Sequence, residues 1–420
     1  MISVVANEPR GKEEIDECKI ECASSHYGAL KGAVLKRFLY LMLFGLCFSA
    51  CSSVEQISDD TDLNTRFLMA LFKGDLAVID SCLAVGVDVN IRDVNDVPAI
   101  IVAANSGNIQ AVKKLLEKGA NVNARSTLYY NSTALMEIAA NRDAAMAAFL
   151  IENGANVHLI DSFGDPAINW AAYYGDIPFV DVLVKNGASW EVESEQGTAI
   201  DVAMKQWNDP LLDYFIQAGA GQALSGQALE LVEAVRGENT EGVQTLLAAN
   251  TSPDQLDELG SPILINASSI GNLEIIKLLL EAGAMPDLMN RVGQTALSRA
   301  AYFSHVPVVE LLLAYRADVN QTDDHYQLSP LISAAAGGNA TIGQLLIDRG
   351  ADLDHQEGIS GFTSLMMATA YRKEAFIKVL LDAGANPYIK TIEGMTLSDM
   401  VGYSNNPKIA EMVQEYLMKH

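Results

Sequence analysis

Across 420 residues the chain carries 28 lysines and arginines against 53 aspartates and glutamates, a net charge of −25, and half of its residues are apolar. Such a composition belongs to a folded chain. Its acidity excludes nucleic acid as an expected partner and charge attraction as a means of holding a membrane. The five cysteines, Cys18, Cys22, Cys47, Cys51 and Cys82, are too few and too N-terminal to staple a fold of this size.

Taken in chain order, Lys31, Lys36 and Arg37 precede an apolar run from Phe38 to Phe48. Eleven helical residues cover about 16 Å, roughly half of a bilayer core, which suits the apolar region of an export signal better than a membrane span. The run ends in Phe48-Ser49-Ala50-Cys51. This resembles the lipobox of bacterial lipoproteins, although leucine is more usual where Phe48 stands. The resemblance implies a signal over 1–50, lipidation of Cys51 and a linker over 51–61. It also implies an outer-membrane lipoprotein facing the periplasm, since Ser52 is not the aspartate that resembles an inner-membrane retention signal. About thirty residues precede the basic stretch, long for a signal, so translation is expected to begin nearer Leu30 to Leu35. A start downstream of the signal would instead leave the protein in the cytoplasm. Cys18 and Cys22 have the look of half a metal site, but no second half is near.

From about residue 62 the chain repeats itself. Gly86, Gly119, Gly154, Gly187 and Gly219 each end an apolar, helix-like run at spacings of 33, 35, 33 and 32. Asn250, Gly283, Arg316, Gly350 and Gly384 continue the series. Before each lies an amphipathic stretch such as Ile275-Ile276-Lys277-Leu278-Leu279-Leu280, whose period predicts a helix stopped by a left-handed residue. A shorter alanine-rich stretch precedes it, with Ala103-Ala104, Ala171-Ala172 and Ala300-Ala301, opened by Pro98, Thr133, Pro166, Thr198, Thr295 or Thr363.

The period, the Thr-Pro-Leu-His-like opening and endings such as Gly119-Ala120-Asn121-Val122-Asn123 resemble the ankyrin repeat. The expectation is an all-α repeat solenoid of about eleven repeats. The family's histidine is missing throughout, replaced by Ile101, Met136, Asn169, Asp201, Ile265, Ser298, Ile332, Met366 and Asp399, which predicts lost hydrogen bonds and looser repeats. Repeat five loses its turn signature at Ala218-Gly219-Ala220-Gly221, and repeat six ends in Asn250-Thr251-Ser252-Pro253 where a hairpin is due. Two arrays are therefore expected, 62–221 and 222–420, kinked or articulated near 220–260.

Catalytic, metal and cofactor motifs are missing from the sequence. His305, His325 and His355 fall at different repeat positions and are expected in exposed loops. Asp323-Asp324 reads as a solvated hairpin tip. What the ankyrin resemblance implies is a partner protein on the concave face. There the chain places Tyr173-Tyr174, Tyr302-Phe303 and Tyr371, with Trp170 and Trp207 nearby and Tyr129, Tyr130, Phe163 and Tyr326 on hairpin segments. Aromatic residues carry interface energy disproportionately. Two consecutive helical residues cannot both face inward, so at least one ring of each pair is expected outside. Glu191, Glu193, Glu195, Asp323, Asp324 and Glu357 make that face acidic and predict a basic patch on the partner, with the chain itself monomeric. Exported bacterial ankyrin proteins resemble, in some cases, immunity or accessory partners of secreted phospholipase-type effectors. An envelope scaffold or stress-protection factor, and an effector acting on a eukaryotic host, stand as alternatives.

Overall fold

The computed structural model describes residues 62–420 apart from 129, 324, 325, 405 and 420. The signal segment, Cys51, Tyr129, Asp324 and His325 lie outside the described residues. Those described form twenty-two helices in eleven pairs. The first five pairs are α1 (Leu63–Lys73), α2 (Leu76–Val85), α3 (Ala99–Asn105), α4 (Ile109–Glu117), α5 (Ala134–Glu137), α6 (Ala144–Glu152), α7 (Ala167–Tyr174), α8 (Ile177–Lys185), α9 (Ala199–Lys205) and α10 (Asp209–Gln217). The other six run from α11 (Gly226–Arg236) and α12 (Thr240–Ala248) through α13 (Ile263–Ile270), α14 (Leu273–Glu281), α15 (Ala296–Tyr302) and α16 (Val306–Ala314). They close with α17 (Pro330–Gly337), α18 (Ala340–Asp348), α19 (Ser364–Ala370), α20 (Glu374–Asp382), α21 (Leu397–Ser404) and α22 (Pro407–Lys419).

Odd-numbered helices are the inner ones, and most of their alanines are buried, which lets neighbours approach closely. Most outer helices open on an aspartate or asparagine whose side chain accepts a backbone N–H of the first turn: Asp75, Asn108, Asp143, Asp176, Asn208, Asn239, Asn272 and Asn339. Asn250 and Arg316 take the left-handed conformation that glycine adopts elsewhere in the series.

Spacing irregularities have a local cause. The bridge from Arg92 to Pro98 and that from Ile160 to Pro166 close ordinary hairpins. In the third repeat Arg125–Ser126 and Ser132–Thr133 pair as an antiparallel ribbon, Arg125 opposite Thr133, which absorbs the longer spacing after Gly119. The ending of repeat six corrects the sequence reading. Leu256 bridges Pro262 as Ile160 does Pro166, so a hairpin forms there despite the divergent residues.

Replacement of the family's histidine does not strip the helix starts of polar contacts. Thr198 with Asp201, and Thr295 with Ser298, form reciprocal caps, and Asp399 accepts from Thr396 in the same way. Asn169 donates to Asp165 and to the Gly197 carbonyl. Ile101, Met136, Ile265, Ile332 and Met366 are simply buried.

Inner helices stack in order from α1 to α9 and again from α11 to α21, but α9 makes no comparable contact with α11. The core divides at the same place. One cluster runs from Phe67 to Ala220 and takes in Leu259, Val292 and Tyr326 from beyond the break; the other runs from Leu231 to Val413. Gly221 marks the crossing: it has φ +88°, a Cβ there would strike the Glu258 carbonyl oxygen, and the next N–H, of Gln222, donates to that oxygen at 2.8 Å. No described helix is long and apolar enough to cross a membrane.

Candidate partner-binding surface

The expected concave aromatics sit at the ends of inner helices: Tyr173 and Tyr174 close α7, Tyr302 closes α15, and Phe303 and Tyr371 cap α15 and α19. The fold then brings residues from both arrays together. Trp207, just past α9, lies flat on Tyr302 with centroids 4.3 Å apart and planes 13° apart. Tyr302 meets Phe303 edge-on at 5.1 Å, and Tyr173 meets Tyr174 likewise at 5.4 Å. Tyr371 remains 40% exposed. Burial, with Tyr173 and Tyr302 facing it, pushes its hydroxyl above the usual phenol range.

Contacts at a constant sequence separation of 90 lock the arrays around this cluster. Arg291 Nε lies 2.5 Å from Asp201 Oδ1, and Gln294 Nε2 donates to the Met204 carbonyl at 2.8 Å. Arg299 pairs with Asp209. The Arg299 side chain is nearly sealed from solvent, with Nε donating to Ser269 Oγ at 2.8 Å. Its guanidinium stands 5.4 Å from the Trp207 ring and 5.0 Å from that of Phe303. Lys205 Nζ sits 4.7 Å from the Tyr326 ring centre. Burial, then Asp201 and Asp323, push the Tyr326 hydroxyl up to about 12.

Beside this seam Arg236 holds Glu258 at 2.7 Å and Asp257 at 3.5 Å. Burial raises the carboxyls of Asp257 and of Asp213, on α10, above the usual range. It works the same way on Glu258 and is the largest single influence there, but the hydrogen bond and charge of Arg236, with a backbone hydrogen bond, together outweigh it and hold that carboxyl low.

Several expected surface residues are therefore internal. Trp170 is 4% exposed and donates its indole N–H to Asp161 at 3.0 Å; Trp207 and Tyr326 are 8% and 7% exposed because the other array covers them. Neither pair of consecutive aromatics splits into one ring inside and one outside: Tyr173, Tyr174, Tyr302 and Phe303 are all half-buried. Tyr130 and Phe163 pair at 4.8 Å on successive hairpins, away from the cluster at α15. Glu357 is not a surface charge, since it is buried and accepts the N–H groups of Ile359, Ser360 and Phe362; Asp323 likewise accepts those of Tyr326 and Gln327. Glu191, Glu193 and Glu195 are exposed. His305 and His355 are half-buried rather than loose in loops, their Nε2 atoms within 2.9 and 2.8 Å of the Ser269 and Gln327 carbonyls one repeat upstream. No group of three metal-binding side chains occurs among the described residues.

Arg299 escaped the sequence reading, yet its signal was present. A guanidinium directly before Ala300-Ala301, on an inner helix that packs alanine to alanine, needs a buried partner.

Comparison with known families agrees with this geometry. The ankyrin-repeat profile matches residues 67–161, 231–323 and 321–391, more than half of the chain. The chain belongs to the ankyrin-repeat family. An ankyrin repeat-containing protein of Treponema pallidum is 34% identical over 101 residues, 24% of this chain and 34% of that protein. An ankyrin repeat protein of Acanthamoeba polyphaga mimivirus is 34% identical over 113 residues, 26% of this chain and 68% of its own length. The mouse B-cell lymphoma 3 protein homolog is 33% identical over 112 residues, 27% of this chain and a quarter of that protein. The aligned part thus spans about a third of the Treponema protein. Ankyrin repeats are protein–protein interaction modules, and the described residues form eleven helix pairs of that kind. The stretch between the first two matches, 162–230, includes Asp201, Met204, Trp207 and Asp209, the residues of array one that meet array two in the seam.

Proposed function

We propose that this ankyrin protein is a non-enzymatic binding module that holds one partner protein against the aromatic patch where its two arrays meet. Tyr371 carries the reading: it is a large ring, 40% exposed, at the rim of a cluster otherwise half-buried. Tyr173, Tyr174 and Phe303 extend the patch, and rings held by neighbours bind at low entropy cost. The exposed Glu191, Glu193 and Glu195 favour a partner with a basic patch.

A lipid on Cys51 would tether the module in a bacterial envelope, in keeping with Phe48-Ser49-Ala50-Cys51 and the preceding apolar run. That address suits an immunity or accessory partner of a secreted, membrane-attacking effector, whose active site the patch would occlude.

Affinity capture from envelope extracts tests the reading, using wild type beside a Tyr173→Ala/Tyr174→Ala/Phe303→Ala/Tyr371→Ala variant. The expected result is one protein retained by wild type and lost from the variant. Identical captured sets would remove the patch as the working surface. Labelling with an alkyne palmitate should mark wild type and spare Cys51→Ala; equal labelling would remove the anchor.

A further inference from the structure

Some neighbouring hairpin tips are joined in a row by backbone hydrogen bonds. The Ser162 N–H donates to the Tyr130 carbonyl and that of Glu195 to Phe163, at 2.7 and 3.1 Å. In array two the Gly358 N–H donates to Tyr326 and that of Ile392 to Ser360, at 2.9 and 3.0 Å. After α10 no hairpin follows, and the chain runs through Gly221 and Gln222, whose N–H donates to the Glu258 carbonyl. The next acceptor in the row, the Gln196 carbonyl, is capped instead by Lys205 Nζ at 2.5 Å. Beside the stretch after α10, which supplies Gly221, Gln222 and Leu224 to its lining, there is a cleft of about 580 Å³ with walls from both arrays. Trp190, Leu224 and Leu259 supply apolar surface, and Glu191, Glu193 and Glu258 supply charge.

The geometry points to this cleft as the seat of an extended, basic segment of a partner protein, an apolar side chain on its floor and lysines or arginines at its edge. The proposal rests on the reading of the protein as a binding module and adds a second contact point to it. Three observations carry it. The cations nearest the cleft are already engaged, Arg291 by Asp201 and Arg236 by Asp257 and Glu258. Glu191 and Glu193 are exposed and enter no ion pair among the described residues, so they are open to a cation from outside. Trp190, Glu191 and Glu193 line the cleft together, which offers apolar and acidic surface side by side to the alternating side chains of an extended peptide.

The test measures binding of a fluorescent peptide of alternating lysine and leucine to the full chain at physiological salt. Glu191→Gln/Glu193→Gln should weaken binding about fivefold to tenfold and flatten its salt dependence. Gln222→Trp, which fills the cleft from an exposed position, should abolish it. Tyr371→Ala should leave it unchanged. Equal affinity in wild type, the double variant and Gln222→Trp would overturn the proposal, since the peptide would then respond to total charge alone. So would failure of wild type to bind the peptide. Loss in Tyr371→Ala with retention in Gln222→Trp would also overturn it, while leaving the aromatic patch standing as the partner site.

Discussion

Repeats four and five of the first array differ from repeats eight to ten of the second in what their inner faces meet. Both carry the same helix pairs and alanine-lined contacts, with aromatic residues at the inner-helix ends of all but repeat nine, where α17 ends on Gly337. In a continuous solenoid each face would lie open along one groove. Here α9 breaks from the stack, and the face of repeat five closes on that of repeat eight through Trp207 and Tyr302, Asp201 and Arg291, and Asp209 and Arg299. An ankyrin surface can therefore be used up within its own chain. What closure leaves uncovered is a rim that includes Tyr371, 40% exposed.

The largest expected effects concern the two cores. Phe179→Ala in the first and Phe376→Ala in the second remove fully buried rings and should each cost about 3–5 kcal/mol. Followed by urea unfolding, both should lower the midpoint of a single transition if the seam couples the arrays; a fall confined to one of two separate transitions would show that they melt independently.

Arg299→Ala sharpens the comparison further. It removes a nearly sealed cation held by Asp209, Ser269 and two rings, at a cost of about 2–3 kcal/mol, tempered because Asp209 is partly open to water. The same melt should then split in two, the first array separating from the second. A single transition at an unchanged midpoint would mean that the seam contributes nothing.

A Gly221→Ala variant tests the crossing point. It asks for a Cβ against the Glu258 carbonyl in a left-handed backbone, and should lose about 1–3 kcal/mol by the same assay, whereas Gly86→Ala, with open space around it, should lose less.

The smallest effect is one of pH. Burial raises the carboxyls of Asp213 and Asp257, so the folded state holds their protons more tightly than the unfolded chain does. The stability they contribute is complete below the ordinary value of 3.8 and is lost as the pH climbs through the raised values. Glu258, held low by Arg236, acts in the opposite sense. Between pH 4 and 7 thermal unfolding of Asp257→Asn should therefore vary less than that of wild type, by about 1 kcal/mol or less. Parallel profiles would show that Asp257 does not titrate differently on folding.

Much of this architecture was written locally. The glycine series, the alanine pairs and the Pro or Thr openings set the helix pairs, because capping, left-handed stops and amphipathic period act within one repeat. The loss of the turn signature at Ala218-Gly219-Ala220-Gly221 was visible in the sequence for the same reason. So was the row of Asn and Asp at the outer-helix starts, in dipeptides such as Gly74-Asp75 and Gly271-Asn272, though the sequence reading passed over it. The hairpin of repeat six was not legible, because backbone pairing of Leu256 with Pro262 needs no particular side chains.

Which faces stay open was decided by tertiary structure alone. Trp207 and Tyr371 occupy comparable places at the ends of inner helices, yet one is covered and the other exposed. The cause is an encounter between residues about 90 positions apart, where Asp201 meets Arg291 and Asp209 meets Arg299. Period and composition describe each repeat and its neighbours. A contact that skips two repeats depends on the angle at which the chain leaves Gly221, and that angle follows from packing against Glu258, which no local pattern encodes.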